Sequence, residues 1–97
     1  MNLEEFKSSI KGNEPPDQVS VLLKALWHEA KENWEHAHAL AQEIESKDGS
    51  WVHAYLHRRE GDPSNARYWY TRAGKQFPTI RLGKEWEEIV TELLSRE

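Results

Sequence analysis

The sequence predicts an all-α protein in which two antiparallel helical hairpins stack on each other, with a short helix before them and a capping helix after them. Three observations predict this fold. Apolar residues recur at helical spacing along most of the chain, short connections separate these segments, and the second hairpin repeats features of the first at a separation of 29 residues. A chain of 97 residues can build one hydrophobic core, so we expect residues 1–97 to form a single domain.

The first hairpin occupies residues 17–47. Before it, residues 3–11 have apolar side chains at helical spacing and predict a short docked helix that ends ahead of Pro15 and Pro16. Asp17 is a suitable N-cap for the first helix of the hairpin. Its apolar face follows the positions i, i+3, i+4, i+7, i+8 and i+11 and consists of Val19, Leu22, Leu23, Leu26, Trp27 and Ala30.

The second helix of this hairpin has Asn33 as its expected N-cap, and we expect it to end at Asp48 and Gly49. Its apolar face contains small residues, which allow close approach to a neighbouring helix. Because the connection between the two helices is very short, they are expected to lie side by side and antiparallel.

The second hairpin, residues 50–74, has clearer boundaries. Ser50 is the expected N-cap of its first helix, and Gly61 is expected to end that helix in the left-handed backbone region. Asp62 followed by Pro63 is a strong signal for the start of the next helix. A final apolar stripe over residues 82–94 predicts the C-terminal capping helix.

Composition excludes several classes of function. The net charge of -4 repels phosphate groups, so we expect neither a nucleic-acid partner nor a membrane surface. The chain has no cysteine, which excludes disulfides and thiolate metal sites and fits a cytoplasmic location. It also lacks a phosphate-binding glycine loop and a serine placed near a histidine, so we expect a binding protein without a cofactor rather than an enzyme.

Residues 65–74 closely resemble the second helix of a Sel-one-like repeat, in which an Ala-x-x-Trp-Tyr-x-basic-Ala pattern is characteristic. The pattern is filled here by Ala66, Trp69, Tyr70, Arg72 and Ala73. The wider segment is also similar to a tetratricopeptide repeat, in which a Gly-acidic turn, here Gly61 and Asp62, joins the two helices. The resemblance covers residues 17–78 and implies a protein-interaction module whose groove is lined by the first helix of each hairpin.

This implied groove suggests a partner-binding edge rich in aromatic and arginine side chains, the types enriched at binding hot spots. We expect it to hold an acidic or C-terminal peptide, with the arginines binding carboxylates and the rings providing a stacking surface. The alternative for the arginines is an ion pair with Glu60, Asp62 or the acidic last helix. The predicted binding edge consists of Trp51, Tyr55, Arg58, Arg59 and Tyr68.

Two other functions remain open. The groove could be covered by the terminal helices of the same chain. It could instead be covered by a second copy of the chain, and the protein would then be a homodimer. A metal ion or small molecule could instead bind to three side chains at positions i, i+4 and i+7 of one helix, a spacing that places them on one face. These candidate ligands are His53, His57 and Glu60.

The alternative for the histidines is a role in packing. His57 and His28 occupy equivalent positions in the two hairpins, where each could fill a half-buried position. His36 and His38 are two residues apart and therefore lie on different faces of their helix, so we expect both at the surface.

Overall fold

A computed structural model describes all 97 residues and confirms an all-α fold with six helices. Helix α2 packs on α3, and α4 packs on α5; α3 also contacts α4. None of the six has the length and hydropathy that a membrane-spanning helix requires. The helices are α1 (Leu3–Ser9), α2 (Val21–Ala30), α3 (Trp34–Gln42), α4 (Lys47–Glu60), α5 (Pro63–Ala73) and α6 (Leu82–Ser95).

The turn between α2 and α3 has the same backbone geometry as the turn between α4 and α5. Glu32 and Gly61, which are 29 residues apart, both have a left-handed backbone, with φ of 63° and 89°. The residue after each is the predicted N-cap, Asn33 or Asp62. In both turns its backbone N–H donates to the carbonyl of the histidine in the last turn of the preceding helix, at 2.9 Å. The two turns therefore share one backbone geometry at the separation of 29 residues that the sequence predicts.

This equivalence predicts the effect of a substitution. A residue with a side chain is strained at positive φ, whereas glycine is not, so Glu32→Gly is expected to raise the free energy of unfolding by about 1 kcal/mol. Gly61→Ala, at the matching position, is expected to lower it by at least about 1 kcal/mol. Urea denaturation of both variants measures the two effects. A destabilised Glu32→Gly protein would show that the two turns are not energetically equivalent.

The start of α2 differs from the prediction. The helix begins at Val21, and Ser20 rather than Asp17 is its N-cap, because the Ser20 hydroxyl accepts a hydrogen bond from the Leu23 backbone N–H at 3.3 Å. Two residues in this region can cap a helix, and the chain uses Ser20, so Val19, the first residue of the predicted apolar face, lies before the helix.

The start of α4 also differs. Ser46 rather than Ser50 is the N-cap, so Asp48 and Gly49, which were expected to end the preceding helix, lie in the first turn of α4. The Ser46 hydroxyl accepts from the Gly49 backbone N–H at 3.0 Å, and Asp48 lies near the positive end of the helix dipole. A Cβ atom on Gly49 would lie 1.9 Å from the carbonyl oxygen of Ile44. Glycine is therefore needed here for a close backbone approach and not to end a helix.

The two terminal helices cover the apolar face of the hairpins. Helix α6 packs on α2 and α4, and α1 packs on α6. Phe6 of α1 is fully buried, with its ring centroid 5.9 Å from that of Trp86, and the Trp86 indole N–H donates to the Leu26 carbonyl at 3.1 Å. All 21 buried hydrophobic residues belong to one cluster. The apolar surface that suggested a homodimer is thus covered within a single chain.

Candidate functional site

An open pocket of about 430 Å³, which we call the inner cavity, lies at the surface where α1, α2, α4 and α6 meet. This inner cavity is walled on the apolar side by Ile10, Leu82 and Trp86, among others. Its volume is within the range of sites that bind small ligands or short segments. The charged and hydroxyl side chains that line it are Lys7, Lys11, Glu29, Tyr55, Arg59 and Glu87.

Glu29 is the most buried charged group of the inner cavity, with 5% of its surface exposed. The Tyr55 hydroxyl donates to its Oε1 at 2.8 Å, and the Arg59 Nε lies 3.2 Å from its Oε2. Burial raises the pKa of Glu29, and these two partners partly oppose the change. Burial also raises the pKa of Tyr55, so its hydroxyl stays protonated as the donor. The network fixes one wall of the cavity.

The mouth of the inner cavity has an excess of positive charge. The Lys7 ammonium lies 3.0 Å from the Glu87 carboxylate, and this hydrogen bond raises the pKa of Lys7. Lys11 is exposed and takes part in none of the ion pairs of the structure. Three cationic side chains therefore line the cavity against two carboxylates, with Lys11 free to bind an anion.

The structure brings only two residues of the predicted binding edge, Tyr55 and Arg59, to the inner cavity. Trp51 is largely buried and lies under the Lys75 ammonium, which is 4.1 Å from the ring centroid. Tyr68, in contrast, is 55% exposed on α5. These side chains do not form one continuous edge.

Arg58 pairs with the last helix, as in the ion-pair alternative. Its guanidinium donates to the Glu85 carboxylate at 2.7 Å and to the carbonyl of Ile80. The Tyr70 hydroxyl donates to the other oxygen of Glu85, and Glu85 is almost fully buried. Arg58 thus joins α4 to α6 and compensates a buried charge.

Three imidazoles meet between α3 and α4 in what we call the histidine cluster: His38, His53 and His57. The Nε2 atoms of His38 and His53 are 2.9 Å apart. One ring nitrogen from each of the three residues lies within 4.8 Å of the others. His53 and His57 are each 6% exposed, and His38 is half-buried.

Aromatic rings and a carboxylate hold the histidine cluster in place. Trp34 stacks on His38 with 4.7 Å between ring centroids, and Trp69 stacks on His53 at 3.9 Å. The Nδ1 atom of His57 lies 2.7 Å from a carboxylate oxygen of Glu60. Burial, aided by the neighbouring imidazoles, lowers the pKa of His53 to about 4, and burial also lowers that of His38. Both rings are therefore neutral at pH 7.

The predicted group of His53, His57 and Glu60 is brought together, because the central His57 contacts both of the others. The expectation that His38 lies at the surface is wrong, since α3 packs against α4 and turns this ring onto His53. Its spacing of four residues after Trp34, which places both on one face of α3, could have indicated this.

The other two histidines lie outside the cluster. His36 is exposed, as expected, and its ring stacks on His28 with 3.9 Å between centroids. His28 is half-buried and His57 is buried, which agrees with the packing alternative as far as burial is concerned.

The chain matches no protein-family model, no curated protein and no solved structure. A fold does not by itself determine a function. No relative therefore indicates what the inner cavity or the histidine cluster binds.

Proposed function

We propose that the protein is an interaction module that binds an acidic or carboxylate-ended peptide segment of a partner protein in the inner cavity. The observation that carries this proposal is the cavity itself, which combines apolar walls with an excess of cationic side chains. A carboxylate meeting Lys11 and Arg59 would form charge-assisted hydrogen bonds, which are stronger than neutral ones.

The position of the cavity supports the proposal. Tetratricopeptide repeats, which residues 17–78 resemble, line their groove with the first helix of each hairpin. The corresponding helices here are α2 and α4, and they supply Glu29, Tyr55 and Arg59 to the cavity. Helices α1 and α6 border this face and leave an open pocket of about 430 Å³, so it fits a few residues of a partner rather than a long helix.

The apolar wall adds a second requirement for the ligand. Ile10, Leu82 and Trp86 line the cavity and would pack against an aliphatic or aromatic side chain next to the carboxylate. Glu29 would not repel the incoming carboxylate strongly, because the Tyr55 hydroxyl donates to one of its oxygens and the Arg59 guanidinium forms an ion pair with the other. The preferred ligand thus has one carboxylate beside one large apolar group.

Lys11 is the most informative residue to change, because it is exposed and has no partner whose loss would destabilise the fold. Peptides selected from a random displayed library on the wild-type protein are expected to be enriched in acidic residues or free C-terminal carboxylates next to an apolar residue. Lys11→Glu should weaken their binding by about tenfold or more, since a favourable charge becomes a repulsive one. Fluorescence anisotropy with the selected peptides measures the affinity.

Lys84→Glu is the matched control, because Lys84 is also exposed and unpaired but lies outside the inner cavity. Its net charge equals that of Lys11→Glu, so a general electrostatic effect would weaken binding in both proteins alike. Equal losses in the two variants, or selected peptides without acidic groups, would contradict the proposal.

A further inference from the structure

We propose that the histidine cluster is a zinc-binding site in which His38, His53 and His57 each supply one nitrogen ligand and Glu60 orients His57. The site is separate from the inner cavity and does not depend on peptide binding there. It differs from the group expected from the sequence, because His38 replaces Glu60 among the ligands.

The distances suit a tetrahedral metal site. Zn–N bonds of about 2.0–2.1 Å place two ligand nitrogens roughly 3.3 Å apart in a tetrahedron. In the structure the Nε2 atoms of His38 and His53 are 2.9 Å apart, and one ring nitrogen from each of the three histidines lies within 4.8 Å of the others. To bind one ion, the closest pair of nitrogens would have to separate by a few tenths of an ångström, and the widest pair would have to approach by up to about 1.5 Å. Three ligands leave the fourth coordination position for water or an exogenous ligand.

The hydrogen bond of His57 determines which of its atoms faces the metal. Glu60 occupies Nδ1 at 2.7 Å, so Nε2 is available as the ligand. A carboxylate on the distal nitrogen of a metal-bound histidine fixes the tautomer and the ring orientation and increases ligand basicity. The stacking of Trp34 on His38 and of Trp69 on His53 restricts the two other rings in a similar way.

The ligand set also determines the class of metal. Three imidazole nitrogens favour zinc and other late first-row divalent ions over magnesium and calcium, which prefer oxygen ligands. His53 and His57 belong to α4, whereas His38 belongs to α3 of the other hairpin. A bound ion would thus link the two hairpins and stabilise the folded state, because the unfolded chain lacks the assembled site.

Zinc titration of untagged, chelator-treated protein against a chromogenic chelator tests the proposal. One equivalent of zinc is expected to bind and to raise the melting temperature, and magnesium is expected to do neither. His38→Ala should weaken zinc binding by at least about 100-fold, and Glu60→Gln by about tenfold. His36→Ala is the matched control, since His36 lies on the same helix but outside the cluster, and it should leave the affinity unchanged.

A measurement on the wild-type protein decides the question even if His38→Ala fails to fold. With ¹⁵N-labelled histidine, zinc should shift the ring nitrogen resonances of the three cluster residues and leave those of His28 and His36 in place. Absence of zinc binding, equal affinities for His38→Ala and His36→Ala, or shifts at His28 and His36 instead would overturn the proposal. Lys11→Glu is expected to bind zinc normally, so failure of the peptide proposal would leave this result unaffected.

Discussion

Replacing Gly49 with alanine is expected to lower the free energy of unfolding by about 3 kcal/mol, at the upper end of the usual cost of overpacking. The added Cβ atom would lie 1.9 Å from the Ile44 carbonyl oxygen and 2.9 Å from its carbon. Both are backbone atoms, so the clash cannot be relieved by a side-chain rotation. The connection between α3 and α4 would have to move, together with the Ser46 cap. Chemical denaturation monitored by tryptophan fluorescence measures the loss.

Gly83→Ala provides the matched control for this prediction. Gly83 also lies in the first turn of a helix, α6, but a Cβ atom there meets nothing within 4 Å. Alanine has the higher helix propensity, so this variant is expected to be stabilised by less than about 1 kcal/mol. If the Gly49 and Gly83 variants had similar stabilities, the close approach at Ile44 would not be what requires glycine.

Arg58→Ala is expected to destabilise the protein by about 3 kcal/mol, because it removes the cationic partner of a buried carboxylate. The Glu85 side chain is 4% exposed, and that of Arg58 is 17% exposed. The Tyr70 hydroxyl would remain as a donor to Glu85 but carries no charge. The variant would also lose the hydrogen bond from Arg58 to the Ile80 carbonyl, which fixes the segment before α6.

Arg96→Ala tests whether the burial of an arginine or the number of its ion pairs determines how much stability its removal costs. Arg96 pairs with two carboxylates, Asp48 and Glu92, but its side chain is 45% exposed. Solvent screening weakens exposed ion pairs, so the expected loss of stability is much smaller than that of Arg58→Ala. The double variant Arg58→Met with Glu85→Gln should recover much of the stability lost in Arg58→Ala, since no unpaired charge remains buried. Equal losses for Arg58→Ala and Arg96→Ala would mean that Arg58 does not compensate a buried charge.

The role of Arg58 affects how binding experiments are designed. If a variant without Arg58 and Arg59 lost a partner, partial unfolding could be the cause, because both arginines pair with buried carboxylates. Lys11 has no such role, so a loss of binding in Lys11→Glu reports on the inner cavity itself.

The helix ends show which boundaries a sequence can define. Asn33 and Asp62 were expected as N-caps and Gly61 as a left-handed helix end, and all three are confirmed. No other cap residue lies near Asn33, and Pro63 marks the first helical position directly after Asp62. The starts of α2 and α4 were misplaced because Asp17 competes with Ser20, and Ser50 competes with Ser46. Local propensity does not choose between such neighbours.

In the candidate sites, too, the sequence defines the relations within one helix, and the tertiary structure decides the contacts between helices. The spacing of His53 and His57 along one helix was sufficient to place them on one face, because that relation needs only the helical period. His38 comes from another helix, and its position depends on how α3 lies against α4. The same holds for Arg58 and Arg59, which are adjacent in sequence but pair with Glu85 and Glu29 on different helices.

The sequence by itself determined the helical class, most of the helix segments and the repeat of the two hairpins, since these follow from periodicity and from caps that act over a few residues. The tertiary structure decided which polar side chains meet. It placed α1 and α6 over the hairpins to form the inner cavity, buried Glu29 and Glu85 beside their arginines, and brought His38 to His53. The physical reason is that these contacts depend on the packing of whole helices, which joins residues that are distant along the chain.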